Sequence, residues 1–352
     1  MRFYLKFYLL INNCSYIITN CFQMNNNILL YSSGGGIGDA IQILPLIETL
    51  RTELKNANLY YLSAHNNHFN STLKDFNCQI NTLNLNIKYF GFRWWHTLIV
   101  RNKIKSNNIK KFDLILDLQS KIRNSLILKT IPHKNFISPT FNFKFSKPKL
   151  NFEKEKKISD TILNGINLLF GKNYKLNEFD IKKIDKRIFN ESMRLLPKDN
   201  YVGLSITQGN IYRKKEWPFD NIIKISNKIL ENKKIPVFLI QKNNKELKDR
   251  IKQLVPSSLF PEHETNISSP ALVTCLGKRL DFAITIDNGV MHMLSLAKVP
   301  MISLFGPTDS EKFAPQYENS IILDSKKLYN TKNVSAITVE DVLNAAKQHL
   351  NY

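Results

Sequence analysis

Asp287-Asn288-Gly289-Val290-Met291-His292 puts a carboxylate, an amide, a glycine and an imidazole within six residues, directly after the apolar run Phe282–Ile286. Asp-Asn-Gly is turn chemistry, and a helix start behind it offers free N–H groups that favour phosphate. Alone, His292 reads more readily as structural. Gly306-Pro307-Thr308-Asp309 forms a second loop, at the end of the apolar run Val299–Phe305. A third constellation is Ser205-Ile206-Thr207-Gln208-Gly209-Asn210-Ile211-Tyr212-Arg213-Lys214-Lys215-Glu216-Trp217-Pro218. Its hydroxyls and three consecutive cations could hold a diphosphate; by itself it reads more simply as a solvated basic loop.

The fourth is Gly34-Gly35-Gly36-Ile37-Gly38-Asp39, which holds four of the chain's 12 glycines. It is neither GxxxxGK[ST] nor GxGxxG, so neither a P-loop nor a dinucleotide fingerprint is supported. Gly36 and Gly38 let a ligand approach the backbone closely. Asp39 stands at a helix start, where spacing alone favours a helix cap. In a crevice the same carboxylate could take a proton from a substrate hydroxyl. The stretch from Lys88 to Lys105 interleaves Tyr89, Phe90, Phe92, Trp94 and Trp95 with cations. It suits a membrane interface, a sugar platform, nucleic-acid bases, or equally a helix docked on its own domain.

These residues need strands and helices to position them. Ile28–Tyr31, Leu59–Leu62 and Leu114–Leu118 read as buried strands, with a helix over Ala40–Leu54 that Pro45 should interrupt. Ile158–Phe170 reads as a helix after an irregular basic and aromatic stretch over residues 140–157. A second alternating series begins at Tyr201–Ile206. It continues through helix Asp220–Leu230, strand Val237–Ile240, helix Lys245–Leu254, strand Phe282–Ile286, helix Val290–Ala297 and strand Val299–Phe305, and Thr338–Leu350 closes the chain as a helix. Alternation of this kind argues an α/β fold with parallel sheets, whose ligands sit at the carboxyl ends of strands.

A chain of 352 residues suggests two domains, and 43% hydrophobic content is ample for globular folding. We expect an N-terminal extension over residues 1–23, which reads as no part of the fold. One domain follows over 24–185 and a second over 186–337, with a linker in the polar stretch 171–200 and a terminal helix over 338–352. Net charge is +21, from 50 Lys+Arg against 29 Asp+Glu, which favours anionic partners or reflects a Lys- and Asn-rich bias. The four cysteines show no CxxC and no disulfide framework, so a reducing cytosol is expected. The seven histidines show no HExxH or other metal spacing.

Together the motifs resemble glycosyltransferase family 9, the heptosyltransferase-like enzymes. Gly36-Ile37-Gly38-Asp39 with Pro45 and Arg51 looks like that family's GD…P…LR segment. Lys215-Glu216-Trp217-Pro218 is similar to its K-x-W-P, Asp287–His292 to its D-[ST]-G-x-x-H, and Phe305–Asp309 to its FGPT. The resemblance implies a GT-B architecture, two Rossmann-like doubly wound domains facing a cleft. It implies inverting, metal-independent transfer with no cofactor, from a nucleotide-diphosphate sugar of the ADP-heptose type to a lipopolysaccharide-core, glycolipid or other saccharide acceptor. Asp39 would match the general base, and Gly36 and Gly38 its acceptor-side loop. Thr207, Gln208, Lys215, Asp287, Asn288, Gly289 and His292 would match donor-binding positions. Asn288 departs from the family's Ser/Thr, and no acidic ribose-binding residue stands out between Gln241 and Glu264. The expected place of work is the cytoplasm, peripheral to the inner face of the cytoplasmic membrane with its anionic surface. A basic nucleic-acid-binding protein is a weaker alternative, since nothing resembles a dedicated module and no nucleic-acid partner is expected. An inactive saccharide-binding relative is another.

Overall fold

The computed structural model describes residues 26–32, 36–64, 67–87, 89–208, 212 and 214–349. The expected extension over residues 1–23 lies outside them, as do Gly34, Gly35, Lys88, Gly209 and Arg213. The chain divides into two compact units that change over between Phe179 and Asp180, with Asp75–Asn77 grouped with the second unit.

The first unit contains β1 (Asn27–Tyr31), α1 (Ile37–Ile41), α2 (Leu44–Glu53), β2 (Asn58–Ser63), β3 (Asn81–Asn84), α3 (His96–Ser106), β4 (Phe112–Asp117), α4 (Ile122–Leu128), β5 (His133–Ile137) and α5 (Ile158–Phe170). Its five strands are parallel, in the order β3-β2-β1-β4-β5. A sheet covered on both faces must be apolar along its whole central strands. Ile28, Leu29, Leu30, Leu114, Ile115 and Leu116 are accordingly fully buried, each worth roughly 1.5–3 kcal/mol of apolar transfer.

The expected helix Ala40–Leu54 is two helices. Pro45 has no N–H to donate to Ile41, so the first helix stops at Ile41 and a second restarts with Pro45 in its first turn. Ile158–Phe170 ends where Gly171 takes a left-handed φ of 60°.

The second unit contains α6 (Lys186–Leu195), β6 (Tyr201–Ser205), α7 (Phe219–Glu231), β7 (Ile235–Phe238), α8 (Lys245–Leu254), α9 (Pro270–Gly277), β8 (Phe282–Ile286), α10 (Gly289–Leu296), β9 (Met301–Phe305), α11 (Ser310–Phe313), β10 (Ser320–Asp324), α12 (Ser325–Tyr329) and α13 (Val339–Ala346). Its sheet is also parallel, in the order β10-β9-β8-β6-β7. Part of the polar stretch read as linker is therefore a helix: Asp185 caps α6 by accepting from Arg187 N at 2.8 Å, and α6 packs on α9. The closing helix is shorter than expected and begins with a capping box of Thr338 and Asp341.

Both strand orders reverse direction once, between β1 and β4 in one sheet and between β6 and β8 in the other. In open α/β sheets ligands bind outside the carboxyl ends of strands at that reversal.

Candidate active site

In the second unit the reversal is densely wired. β8 ends at Ile286, and Asp287 and Asn288 follow with their backbone leaving the sheet. Asn288 caps α10: its Oδ1 accepts from Met291 N at 3.0 Å. Its Nδ2 donates to Ser205 Oγ at 2.7 Å and to Thr207 O at 2.9 Å, tying the end of β8 to the end of β6. A Ser or Thr could cap the helix, but its single hydroxyl could not also supply an amide's two donors. Gly289 and Val290 open α10, so their N–H groups have no acceptor within the helix.

Lys215 reaches the same point from the loop after β6. Its backbone N donates to Gln208 Oε1 at 2.8 Å. Its ammonium pairs with Asp287 Oδ2 and also donates to Asp287 O at 3.2 Å. Both side chains are nearly buried, at 12% and 8% exposure. Thr308 Oγ1 donates to the same Asp287 Oδ2 at 2.6 Å. Among the described residues two of the ammonium's three donors are engaged, both by Asp287. Trp217, almost fully buried, anchors the far end of this loop by donating from Nε1 to Ile337 O at 2.8 Å.

The 306–309 loop is set by Gly306, where a Cβ would meet Lys332 O and Val334 N, both at 2.8 Å. Only glycine allows that backbone approach. Lys326 then holds the loop, its ammonium donating to Thr308 O at 2.7 Å and Pro307 O at 3.3 Å. His292 is buried within α10 at 6% exposure. The structure therefore brings together Thr207, Gln208, Lys215, Asp287, Asn288 and Gly289. Lys326 is an addition that no local sequence pattern marks, because its contacts lie 18 and 19 residues away, and the structure gives Thr308 of the Phe305–Asp309 motif its partner, Asp287, 21 residues away.

Glu262, beyond the end of β7, is a further acid that sequence reasoning missed. Leu259 pairs with Val237 of β7, and Phe260 stacks on Phe238 at 5.4 Å. This carries the one-turn helix Pro261–His263 past the carboxyl end of that strand. Burial pushes the Glu262 carboxyl up to about 7. The only sequence hint was an acid following a short apolar stretch.

In the first unit Asp39 is the third residue of α1, not its cap. Gly36 holds the cap position, with no side-chain hydrogen bond. The Asp39 side chain is exposed, and among the described residues no hydrogen bond engages it. Among the described residues a Cβ on Gly36 would meet nothing within 4 Å. Tyr61 is near: burial first, with the Asp39 charge adding, pushes its hydroxyl up to about 12 against a lowering hydrogen bond from Ser32.

Across the reversal, at the end of β4, Asp117 is fully buried. It accepts from Ser125 Oγ at 2.5 Å, Ser138 Oγ at 2.7 Å and Gln119 N at 3.0 Å. Gln119 Nε2 reaches Ser32 Oγ at 3.5 Å, while Gln119 Oε1 is buried with no hydrogen-bond partner among the described residues. Among those residues no group of three His, Cys, Asp or Glu side chains is placed to hold a metal ion.

A family model described as glycosyltransferase family 9 (heptosyltransferase) matches residues 101–343. The chain is 23% identical over 262 residues to lipopolysaccharide heptosyltransferase 1 of Campylobacter coli, covering 67% of this chain and 76% of that one. Its structure is similar to a glycosyl transferase family 9 protein from Veillonella parvula DSM 2008, with a TM-score of 0.71 at 18% identity over 93% of this chain and 98% of that one. It is also similar to the E. coli heptosyltransferase WaaC with ADP, with a TM-score of 0.67 at 13% identity over 92% and 99% of the two chains. The two Rossmann-like sheets are of the GT-B type.

Proposed function

The chain belongs to glycosyltransferase family 9 and is a glycosyltransferase, and from that premise we propose that it moves a heptose-type sugar from an ADP-sugar to a saccharide acceptor with inversion. The observation that carries this reading is the convergence of Lys215, Thr308, Asn288 and the α10 N-terminus around Asp287, at the strand reversal of the second unit. A leaving diphosphate needs positive charge there. Lys215 and the first N–H groups of α10 supply it, so a metal-independent step with no cofactor follows in this reading. Thr207 and Gln208 line the same edge, and His292, in the first turn of α10, belongs to the donor-binding set. Glu262 offers its carboxyl to the hydroxyls of the nucleoside.

On the acceptor side, Asp39 takes the proton of the attacking hydroxyl. The new bond forms at the anomeric carbon on the face opposite the diphosphate. The bond to the phosphate oxygen breaks, and its electron pair leaves with the nucleotide. Gly36 and Gly38 give the acceptor room beside that carboxylate. The acceptor is a lipid-anchored core saccharide, and the enzyme works in the cytoplasm, peripheral to the inner face of the membrane. Among the described residues no helix is long and apolar enough to cross a bilayer.

The test is direct. Purified protein is offered ADP-, UDP- and GDP-sugars in thermal-shift and transfer assays, with and without EDTA, and the product anomer is read by NMR. An ADP-specific shift, an inverted product and full activity in EDTA are expected. A shift with UDP- or GDP-sugars alone rejects the donor, and retention of configuration rejects the mechanism.

A further inference from the structure

The Tyr89–Lys110 stretch resolves into two faces. α3 buries His96, Val100 and Ile104, one residue per turn, against its own unit. Its outer side carries Leu98, Arg101 and Lys105, continuing from Trp94 just ahead of the helix at spacings of four, three and four, all exposed. Before it, Tyr89 and Trp94 are each 75% exposed and Phe92 61%. Large aromatic surface of this kind, clustered on one face, marks an interaction site.

The cluster is built, not frayed. Gly91, at φ +88°, lies so close to α4 that a Cβ would meet Asn124 Oδ1 at 2.5 Å. Gly91 N donates to His96 Nδ1 at 3.1 Å, and Phe90 packs on Tyr31 at 5.2 Å. Arg123 lies over the Phe92 ring at 3.9 Å and Arg93 over Trp95 at 4.9 Å. α4 packs beside α3 and adds exposed Ile122 and Leu126. At the other end of α3, a cavity of about 560 Å³ is lined by Arg101, Lys105 and Lys110 over a floor of Ile104, Ile109 and Pro132. Neither the sequence from Phe76 to Phe112 nor that from Leu118 to Phe152 contains one acidic residue.

We propose that the outer side of α3, with the 89–95 turn and the start of α4, docks the protein on an anionic phospholipid bilayer. The helix lies in the plane of the interface, about 16 Å long. Trp94, Trp95, Phe92 and Leu98 enter the acyl boundary, where amphipathic rings partition. Arg101, Lys105 and Lys110 meet lipid phosphates, with one headgroup seated in the cavity between them. Tyr31, against which the turn packs, is the last residue of β1, so docking places the bilayer at the edge of the sheet that leads into Asp39. The docking surface stands on this geometry alone. Its catalytic consequence, delivery of a lipid-anchored acceptor to Asp39, rests on the transferase reading.

The experiment is vesicle flotation with the full chain, using phosphatidylcholine vesicles with and without phosphatidylglycerol. Partitioning is expected only with the anionic lipid and falls with added salt. Arg101→Ala and Lys105→Ala should each cost about fivefold in partitioning. Trp94→Ser with Leu98→Ser should cost about tenfold or more, with an unchanged melting curve because both side chains are exposed. Transfer to a soluble, lipid-free acceptor should not change in any of these variants. Equal partitioning of variants and wild type overturns the surface, as does preferential capture of single-stranded RNA over anionic vesicles. Loss of transfer to the soluble acceptor overturns it too, by moving these residues into the active site. Vesicle binding without transfer from any nucleotide sugar leaves the surface standing and removes the catalytic reading.

Discussion

Each unit ends a central strand with a buried aspartate at the point where strand order reverses, and the two are furnished in opposite ways. Asp287 is met by the Lys215 ammonium and the Thr308 hydroxyl. Asp117 is met by Ser125, Ser138 and a backbone N–H, all neutral. The first arrangement holds a cation where the proposed transfer needs one. The second gives its carboxylate only uncharged hydrogen-bond donors, in the unit whose Asp39 is exposed. A carboxylate that is to accept a proton gains nothing from an adjacent ammonium, which would hold it ionised and lower its basicity. In the proposed reaction the two edges would divide the work, one receiving departing negative charge and the other taking the proton of an incoming hydroxyl.

That contrast can be broken first at Asp39. Asp39→Ala should cut transfer by about 10²–10⁴-fold while leaving nucleotide-induced thermal shift and melting temperature as they are, since the side chain is exposed and uncapped. Full transfer in this variant would erase the acceptor edge. On the other edge, Asp287→Ala strands a nearly buried ammonium and should cost about 3–5 kcal/mol in chemical denaturation. Lys215→Ala combined with it should recover part of that loss, because neither charge is then left alone. If the double variant is no better than either single one, the pair is not the organising contact.

Glu262 sharpens the picture through pH. Its carboxyl titrates near 7 in the fold and near 4.5 when exposed. The fold therefore holds this proton after the unfolded chain has released it. Its contribution is full below about 4.5 and is lost as pH rises through 7, by roughly 3 kcal/mol at most. Denaturation midpoints of Glu262→Gln should lose that part of the slope. The smallest effect is expected at Asn288. Asn288→Thr keeps the helix cap but loses the ties to Ser205 and Thr207. About 1–2 kcal/mol of stability should go, and donor KM should rise more than kcat falls.

Much of this architecture was legible because buried parallel strands are apolar on both faces. Phe282–Ile286 matched at both ends for that reason, as did the strongly periodic helices Ile158–Phe170 and Lys245–Leu254. Three of the four edge strands, β3, β5 and β10, carry no such signal. Asn81–Asn84 reads Asn-Thr-Leu-Asn and His133–Ile137 opens His-Lys-Asn, since only one neighbour covers them. α6 was hidden in a Lys- and Asn-rich stretch that looked like linker. Asp39 was read as a cap because a run of glycines leaves the first helical residue undefined. At the donor edge, residue types were visible but partnership was not. Lys215 and Asp287 stand 72 residues apart, and only the parallel β6–β8 pairing joins them.

The bond from Trp217 to Ile337 spans 120 residues, and it sets a clock during synthesis. The Trp217 end of the loop carrying Lys215 cannot be tied down in this way until Ile337 has been made. At about 5–20 residues per second, that is a wait of roughly 6–24 s. The first unit meets no such delay, since the residues around Asp39 and Asp117 are all made before the second unit begins. A nascent chain can therefore complete the edge around Asp39 and Asp117 well before the Trp217–Ile337 bond closes the other.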